Sequence, residues 1–229
     1  SDDNSITAPN TNHLTFRLKP FSFKHTGLFP EQATNWDWFS GLIRKECAKR
    51  PTDRPIKVLN LFAYTGGATV AAARAGASVC HVDASKGMVQ CAKENISSSG
   101  LENAPVRYIV DDCRKFVERE IRRGNKYDGI IMDPPSYGRG PGGEVWKLED
   151  AVCDFVSLCE KLISDDPLFM LINSYTTGLS ALTMGYVLNV EVVKKHGGYA
   201  ETAEVALPVT ETKGFLPCGA SARWIADKK

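Results

Sequence analysis

The chain has 229 residues, of which 43% are hydrophobic and 24% are charged, and its formal net charge is +1. These proportions are ordinary for one globular α/β domain with a modest extension, and they exclude a disordered or fibrous protein. They provide no overall positive field of the kind that favours nucleic acid, so only a local basic patch is compatible with such a partner.

The seven cysteines are scattered along the chain, with neither a CxxC pair nor the Cys/His spacing of a metal site. This pattern is typical of reduced thiols in a cytoplasmic protein that binds no metal. No apolar run approaches the roughly 18 residues of a transmembrane helix, and the polar first residues do not resemble a signal peptide. We therefore expect a cytoplasmic protein without membrane contact, and we favour a monomer.

The chain is predicted to divide into an N-terminal extension, residues 1–54, and a main domain, residues 55–229. Within the extension, the alternating residues Leu14–Leu18 are compatible with a short strand. The segment Arg50–Pro55 contains two prolines and is predicted to be a linker into the first strand of the main domain.

A second part of the extension, Phe21–Gln32, holds three phenylalanines, a glycine and a proline, and it predicts an ordered lid or pocket wall. A helix is expected from Pro30, because proline is favoured in the first turn. The aromatic residues of that helix are expected to pack against the main domain. His25 and Phe29 are harder to explain as core, and we expect them to flank a bound ligand.

The main domain is organised around a strand, a glycine turn, a helix and a second strand. Ile56–Phe62 is a nearly continuous apolar run, typical of a parallel strand buried on both faces. Gly66 and Gly67 allow a sharp turn and a close approach of the backbone to a ligand. Asp83 ends the second strand, where a carboxylate accepts hydrogen bonds from ribose hydroxyls.

Two nucleoside cofactors suit this arrangement. A dinucleotide needs its pyrophosphate cradled, usually by G-x-G-x-x-G, but the turn Ala63–Gly67 lacks the first glycines of that signature. S-adenosylmethionine has a ribose and an adenine but no phosphate, and an open turn with an acid is sufficient for it. The alternative that stays open is a glycine that merely follows the first strand, as in many α/β proteins.

The third strand, Val106–Val110, is followed by two acids, Asp111 and Asp112. An acid at this strand end lies near the adenine in the arrangement of methyltransferases, and its carboxylate accepts a hydrogen bond from the exocyclic amine. Either acid is equally able to cap the helix that follows. The two interpretations are compatible, with one acid in each role.

The most specific motif follows the fourth strand, at Asp133–Tyr137, with the sequence DPPSY. Two prolines fix the backbone and remove two N–H donors, so Asp133 and the Pro134 carbonyl form a cluster of acceptors. Such a cluster holds the amino group of a planar base, and Tyr137 is placed to stack on that base. A rigid turn leaving the strand is the alternative. Arg139, in the glycine-rich loop that follows, is a candidate phosphate contact or an ordinary surface residue.

The remaining elements complete the predicted sheet. We expect a helix over Trp146–Ile163, a fifth strand ending at Asn173, a helix over Leu179–Lys195 and a C-terminal antiparallel hairpin. The order predicts a Rossmann-like, mostly parallel seven-stranded sheet with helices on both faces. Ligands are expected at the carboxyl ends of its strands, where the acids and Asn173 converge.

The segments LNLFAYTGG, HVDASKGMVQCAKENI, VDDCRKFV and DGIIMDPPSYGRG resemble class I S-adenosylmethionine-dependent methyltransferases. More narrowly, the chain is similar to the bacterial group that methylates 23S ribosomal RNA of the large subunit, as an uncharacterised branch without the added RNA-binding domain. The resemblance implies S-adenosylmethionine as cofactor and RNA as substrate. It implies cofactor contacts at Ala63, Tyr64, Thr65, Gly66, Asp83 and Asp112, with Asp133 facing the substrate. Phe29, Ala84, Ser85, Cys113 and Asp133 complete the expected cofactor site, and Pro134 and Tyr137 complete the expected catalytic site.

One departure from that group concerns the methylated atom. Methylation of cytosine C5 needs a cysteine thiolate that attacks C6, and in the resembling enzymes it follows the fifth strand. Here that place is Asn173–Tyr175, with no cysteine, so we expect methyl transfer to nitrogen. The alternatives are a methyltransferase of small molecules or proteins, an NAD-binding oxidoreductase, and a cofactor-binding subunit without catalysis.

Overall fold

The computed structural model of the protein describes residues 13–18, 26–139 and 145–227. His25, part of the predicted lid and most of the glycine-rich loop after Arg139 lie outside these residues, and so do the two chain ends. No helix in the described ranges is long and apolar enough to cross a membrane. Within the same ranges, no group of three or more His, Cys, Asp or Glu side chains is arranged to hold a metal ion.

Nine strands are present in the described residues. They are β1 (Lys57–Leu61), β2 (Ser78–Asp83), β3 (Val106–Val110), β4 (Gly129–Met132), β5 (Tyr137–Arg139), β6 (Val145–Lys147), β7 (Phe169–Ser174), β8 (Tyr199–Pro208) and β9 (Phe215–Ile225). Seven of them form one sheet in the order β3-β2-β1-β4-β7-β9-β8. Strand β9 runs antiparallel to both of its neighbours, β7 and β8. The predicted seven-stranded, mostly parallel sheet with a C-terminal hairpin is therefore confirmed.

Helices cover both faces of this sheet. They are α1 (Ala33–Cys47), α2 (Gly67–Arg74), α3 (Lys86–Ser98), α4 (Cys113–Arg122), α5 (Leu148–Cys159), α6 (Ala181–Leu188) and α7 (Lys194–His196). A 3₁₀ turn, Pro30–Gln32, leads into α1, a second one, Glu160–Leu162, follows α5, and a π-helical segment, Asn189–Val193, joins α6 to α7. Two apolar cores result, one on each face, as a sheet buried on both sides requires.

The N-terminal helix is part of the second of these cores, as the aromatic pattern predicted. The Phe39 ring stacks on Phe169 with centroids 5.8 Å apart, and Trp38 meets the same ring edge-on at 5.4 Å. A Cβ on Gly67 would lie 2.6 Å from Cζ2 of Trp36, so α1 approaches the first turn of α2 closely. This packing fixes the residues just before α1 over the carboxyl ends of the central strands.

Three local predictions were wrong. Leu14–Leu18 is not a strand, because its backbone amides donate to side chains instead of to another strand. The Arg17 amide donates to Asn95 Oδ1 of α3 at 2.9 Å, and the Thr15 amide donates to the Oγ of Ser99, directly after α3, at 3.0 Å. Trp146 lies in β6, which pairs with β5, and the helix begins only at Leu148. The predicted Leu179–Lys195 helix is interrupted by the π-helical segment.

Candidate active site

The turn after β1 carries an unusual backbone. Phe62, Tyr64 and Gly66 have φ values of 54°, 50° and 85°, so left-handed residues alternate along the turn although only one is a glycine. A left-handed non-glycine residue costs of order 1–3 kcal/mol, which the surrounding structure must offset. The turn closes through the Gly66 amide, which donates to the Ala63 carbonyl at 2.9 Å.

Asp83, at the end of β2, fixes this turn from the neighbouring strand. Its two carboxylate oxygens accept hydrogen bonds from the Tyr64 and Ser85 amides, each at 2.8 Å. Burial raises the pKa of Asp83, while these two amide bonds lower it. Because an ionised carboxylate offers about four acceptor positions, two remain for other donors. Ala84 and Ser85, the next residues, are exposed on the rim beside it.

Thr65 and Gly66 are fixed by contacts with Gly27 and with helix α3. The Thr65 hydroxyl donates to the Gly27 carbonyl at 2.6 Å, and the Asn95 side chain donates to the Thr65 carbonyl at 2.9 Å. A Cβ on Gly66 would lie 2.8 Å from the Ala92 Cβ of α3. The turn is thus pinned both to α3 and to the segment that leads to Phe29.

A buried polar chain lies beneath the same turn and was missed by the sequence analysis. Asn60 donates to the Thr69 hydroxyl at 2.9 Å, and that hydroxyl lies 2.9 Å from His81 Nδ1. Burial lowers the pKa of His81 to about 4, so this ring is neutral at physiological pH. The signal in the sequence was two polar residues, Asn60 and His81, inside otherwise apolar strands.

The two acids that follow β3, Asp111 and Asp112, make different interactions. Asp112 caps α4 by accepting a hydrogen bond from the Lys115 amide at 2.9 Å, and Asp111 pairs with Arg119. Asp112 is exposed, so its second oxygen is accessible. Cys113 is buried, and its sulfur accepts a hydrogen bond from the Phe62 amide at 3.3 Å. Its side chain therefore supports the turn, and any cofactor contact falls to its backbone.

The DPPSY motif leaves β4 at the centre of the sheet edge. Asp133 is half-buried, and in the described part of the chain no group donates a hydrogen bond to its carboxylate. Burial, with the charge of Glu31 as a second cause, raises the pKa of Asp133 to about 7. Trp146 donates its indole N–H to the Pro135 carbonyl at 2.7 Å. Pro134 is buried, whereas Tyr137 is 51% exposed on the β5–β6 hairpin.

A cavity of about 480 Å³, part of it open to solvent, lies between this motif and the turn after β1. Phe29 covers it, with the Tyr64 ring 5.6 Å away on one side and the Tyr175 ring 5.5 Å away on the other. Among the predicted site residues, the cavity wall includes Phe29, Ala63, Tyr64, Thr65 and Asp133.

Not every predicted residue joins this cavity. Asn173 reaches its wall, as expected of the residue at the end of the fifth parallel strand. Asp83, Ala84, Ser85 and Asp112 stand at the ends of the neighbouring strands β2 and β3. Tyr137 lies beside the cavity rather than in its wall. The predicted residues thus follow one edge of the sheet, one group at the ends of β4 and β7 and the other at the ends of β2 and β3.

A larger polar network on the β7 side was also missed. The Asn35 amide nitrogen lies 2.8, 3.0 and 2.9 Å from oxygens of Gln32, Asn173 and Ser221, which share its two protons, and the Asn35 oxygen accepts from Arg223 at 2.6 Å. Apart from Gln32, its members lie 138 to 188 positions from Asn35 in the chain. No local sequence pattern predicts such a network, because its residues meet only when α1 packs against β7 and β9.

Comparison with known proteins identifies the family. The sequence profile described as S-adenosylmethionine-dependent methyltransferase matches residues 8–185. The crystal structure of a SAM-dependent methyltransferase from Agrobacterium tumefaciens superposes with a TM-score of 0.84 and 38% identity, covering 93% of this chain and 68% of that one.

Two sequence relatives are ribosomal RNA methyltransferases. The ribosomal RNA large subunit methyltransferase K/L of Shewanella woodyi is 34% identical over 149 residues, which is 65% of this chain and 19% of the relative. The large subunit methyltransferase I of Klebsiella pneumoniae is 37% identical over 82 residues, 35% of this chain and 20% of the relative. The chain spans about a fifth of the length of both. With its profile match and its sheet-edge site, the chain belongs to the S-adenosylmethionine-dependent methyltransferase family.

Proposed function

We propose that this protein transfers the methyl group of S-adenosylmethionine to a nitrogen of an RNA base. One observation carries the proposal: the Asp133 carboxylate, without a hydrogen-bond donor among the described residues, lies in the cavity that also contains the cofactor turn. A carboxylate next to a proline carbonyl is an acceptor pair suited to an amino or ring N–H group. In this proposal Asp133, which lies in the cavity wall, faces the methyl acceptor, and the Pro134 carbonyl is the second acceptor group.

The residues at the sheet edge fit the cofactor. Asp83 retains free acceptor positions for the ribose hydroxyls, Asp112 has an accessible oxygen for the adenine amine, and the turn Ala63–Gly66 brings backbone close to the ligand. Phe29, Ala84, Ser85 and the Cys113 backbone complete the proposed cofactor site. When bound, S-adenosylmethionine supplies an electrophilic methyl group on a positively charged sulfur.

Nitrogen is preferred over carbon for a chemical reason. Carbon-5 of a pyrimidine must first be made nucleophilic by a thiolate, whereas an amine already has a lone pair. The end of β7 is Asn173–Ser174, and neither Tyr175 nor Thr176 supplies a thiol. For a nitrogen, the site has only to orient the acceptor toward the methyl group and to exclude water.

RNA is proposed as the substrate because the two relatives described above are ribosomal RNA methyltransferases. In this proposal the ring of Tyr137, which is 51% exposed on the β5–β6 hairpin, stacks on the base. In this proposal residues 1–54 form an N-terminal extension and residues 55–229 the methyltransferase domain, in a cytoplasmic monomer.

The experiment is methyl transfer from labelled S-adenosylmethionine to separate RNA, DNA, protein and metabolite pools of the source cell. The RNA is taken from cells that lack this protein, so that its target sites are unmodified. Label in RNA, recovered after nucleoside digestion as an N-methylated base, is the expected result. Label confined to proteins or metabolites would replace the proposed substrate, and label on C5 of a pyrimidine would replace the proposed atom.

A further inference from the structure

A chain of hydrogen bonds reaches the acceptor side of the cavity from α1. The Asn35 amide donates to Gln32 Oε1 at 2.8 Å, and the Gln32 amide donates to the Tyr175 hydroxyl at 2.6 Å. The Tyr175 hydroxyl in turn donates to Glu31 Oε1 at 3.1 Å. Because a hydroxyl has one proton, accepting from Gln32 leaves that proton for Glu31. The direction of the chain is therefore fixed, and it ends on a carboxylate.

Glu31 is an unusual residue in this place. Its residue exposure is only 8%, although it is charged and lies in a short 3₁₀ turn at the protein surface. Buried carboxylates are rare unless they have a partner or a function. Its partner in the described residues is the Tyr175 hydroxyl, which is a neutral donor. The structure therefore keeps a buried carboxyl group between Phe29 and Gln32, two residues of the cavity wall.

The carboxyl group of Glu31 acts on Asp133. Burial is the first cause that raises the pKa of Asp133, and the charge of Glu31 is the second. Burial also raises the pKa of Tyr175, with the charges of Asp133 and Glu31 as further causes, so the three groups form one electrostatic cluster. Glu31 approaches from the 3₁₀ turn, Tyr175 from the segment after β7 and Asp133 from β4. On the β1 side the wall is Tyr64, and beyond it Asp83 is held by the Tyr64 and Ser85 amides.

We propose that Glu31 is a second carboxylate of the acceptor site and that Tyr175 is the positioning residue that holds it beside Asp133. This inference rests on the proposed function. The paired carboxylates select an acceptor nitrogen, because a nitrogen gains positive charge as it takes the methyl group. An acidic pair placed where charge develops stabilises the transition state more than the ground state.

The bonds that form and break during methyl transfer, and the proton that is released, give each carboxylate a separate role. The nitrogen lone pair forms the new N–C bond, the C–S bond breaks, and its electron pair remains on sulfur. The methylated nitrogen is then cationic and loses a proton to the Asp133 carboxylate, which returns it to water. The Glu31 carboxylate makes Asp133 a stronger base for that proton, and the hydrogen bond from Tyr175 holds Glu31 in place. No other reactant is required.

The first test needs neither substrate nor cofactor. The carboxyl signal of Asp133 is followed by NMR against pH in the full chain labelled with ¹³C-aspartate, and it is identified by its absence in Asp133→Asn. In Glu31→Gln we expect the titration midpoint to fall by at least one pH unit, since a negative neighbour is removed. Tyr175→Phe keeps the ring against Phe29, and a smaller fall in the same direction is expected because Glu31 is released.

The controls are the same chemical changes at exposed positions, Tyr186→Phe on α6 and Glu211→Gln between β8 and β9. They are expected to leave the Asp133 midpoint where it is in the unmodified chain. A midpoint in Tyr175→Phe equal to that of Tyr186→Phe would overturn the positioning role. A midpoint unchanged in Glu31→Gln would overturn the pairing itself.

The second test uses turnover on the labelled RNA substrate. The acid limb of kcat/KM against pH is expected to move to lower pH in Glu31→Gln, together with an at least tenfold fall in kcat at pH 8. Affinity for S-adenosylmethionine, measured by calorimetry, is expected to stay within twofold. A kcat loss with an unmoved acid limb would overturn the inference and indicate a purely structural role. Failure of the unmodified chain to label RNA would instead overturn the proposed function, while the NMR titration still decides the pairing.

Discussion

Trp146 donates its indole N–H to the carbonyl oxygen of Pro135 at 2.7 Å and so connects the β5–β6 hairpin to the DPPSY motif. The same indole ring lies 5.7 Å from Phe62, one of the left-handed residues of the turn after β1. It also meets Phe155 of α5 edge-on at 5.7 Å. One side chain therefore joins the DPPSY motif, the turn after β1 and the core beneath them.

Replacing Trp146 with Phe keeps an aromatic ring at this position but removes the N–H. The Pro135 carbonyl then lacks its partner, at a cost of about 1 kcal/mol, and the motif is less firmly placed. We expect kcat to fall by roughly five- to tenfold, with affinity for S-adenosylmethionine unchanged. Trp38→Phe, which keeps aromatic contact with Phe169 away from the cavity, is the control. Equal effects of the two substitutions on kcat would contradict a role for the N–H.

Gly66 is required for two separable reasons, its left-handed φ and the close approach of α3. Gly66→Ala is expected to destabilise the fold by roughly 2–4 kcal/mol, from backbone strain and from a Cβ 2.8 Å from that of Ala92. Gly100 has a φ of 66° with nothing within 4 Å of a Cβ, so Gly100→Ala measures the strain alone. Urea unfolding of both variants checks this, and equal losses would contradict the packing contribution of Ala92.

The parts of the fold that the sequence predicted are those with a local signal. The apolar run Ile56–Phe62 and the acids Asp83 and Asp133 at strand ends were sufficient to predict the sheet and the edge that carries the site. Strand direction and residue type determine these features, because a buried parallel strand is apolar along its whole length and polar side chains collect where it ends.

The missed parts depend on contacts between distant segments. The hairpin that contains Trp146 was predicted as helix, since the apolar residues Leu148 and Val152 continue a helical pattern just after it. The left-handed conformation of Phe62 and Tyr64 could not be predicted from residue type, because neither residue is a glycine. The Asn35 network links α1 to β7 and β9, and its polar residues gain a role only when those elements meet.

The neutral His81 makes stability depend on pH. Its pKa of about 4 in the fold lies below the ordinary 6.5, so the unfolded chain binds a proton more readily between these values and stability falls as pH falls through that window. The expected loss is about 2 kcal/mol between pH 7.5 and pH 5. His81→Gln should lack this component, whereas His13→Gln, at an exposed site, should retain it. Denaturant unfolding at both pH values is the measurement, and the same pH dependence in His81→Gln as in the unmodified chain would refute the assignment.

Asp83 is expected to control cofactor affinity. Asp83→Asn removes the charge and one acceptor oxygen, and hydrogen bonds to a charged group contribute about 1.5–3 kcal/mol each. We therefore expect the Kd for S-adenosylmethionine to rise by about 10- to 100-fold or more in calorimetric titrations. Asp154→Asn, at an exposed position of α5, should leave the Kd unchanged. Unchanged affinity in Asp83→Asn would refute the assignment of the ribose site.

Cys218 tests whether the reaction needs a thiol. The residue lies on β9, in a surface cleft shared with Ser174 and Tyr175, and its Sγ–H donates to the Leu216 carbonyl at 3.4 Å. Covalent activation of a pyrimidine C5 would require such a sulfur, whereas transfer to nitrogen requires none. Cys218→Ser is therefore expected to keep at least half of the turnover, like Cys153→Ser at the exposed control position on α5. A loss of more than about a hundredfold in Cys218→Ser alone, measured on the same RNA, would favour carbon as the methylated atom.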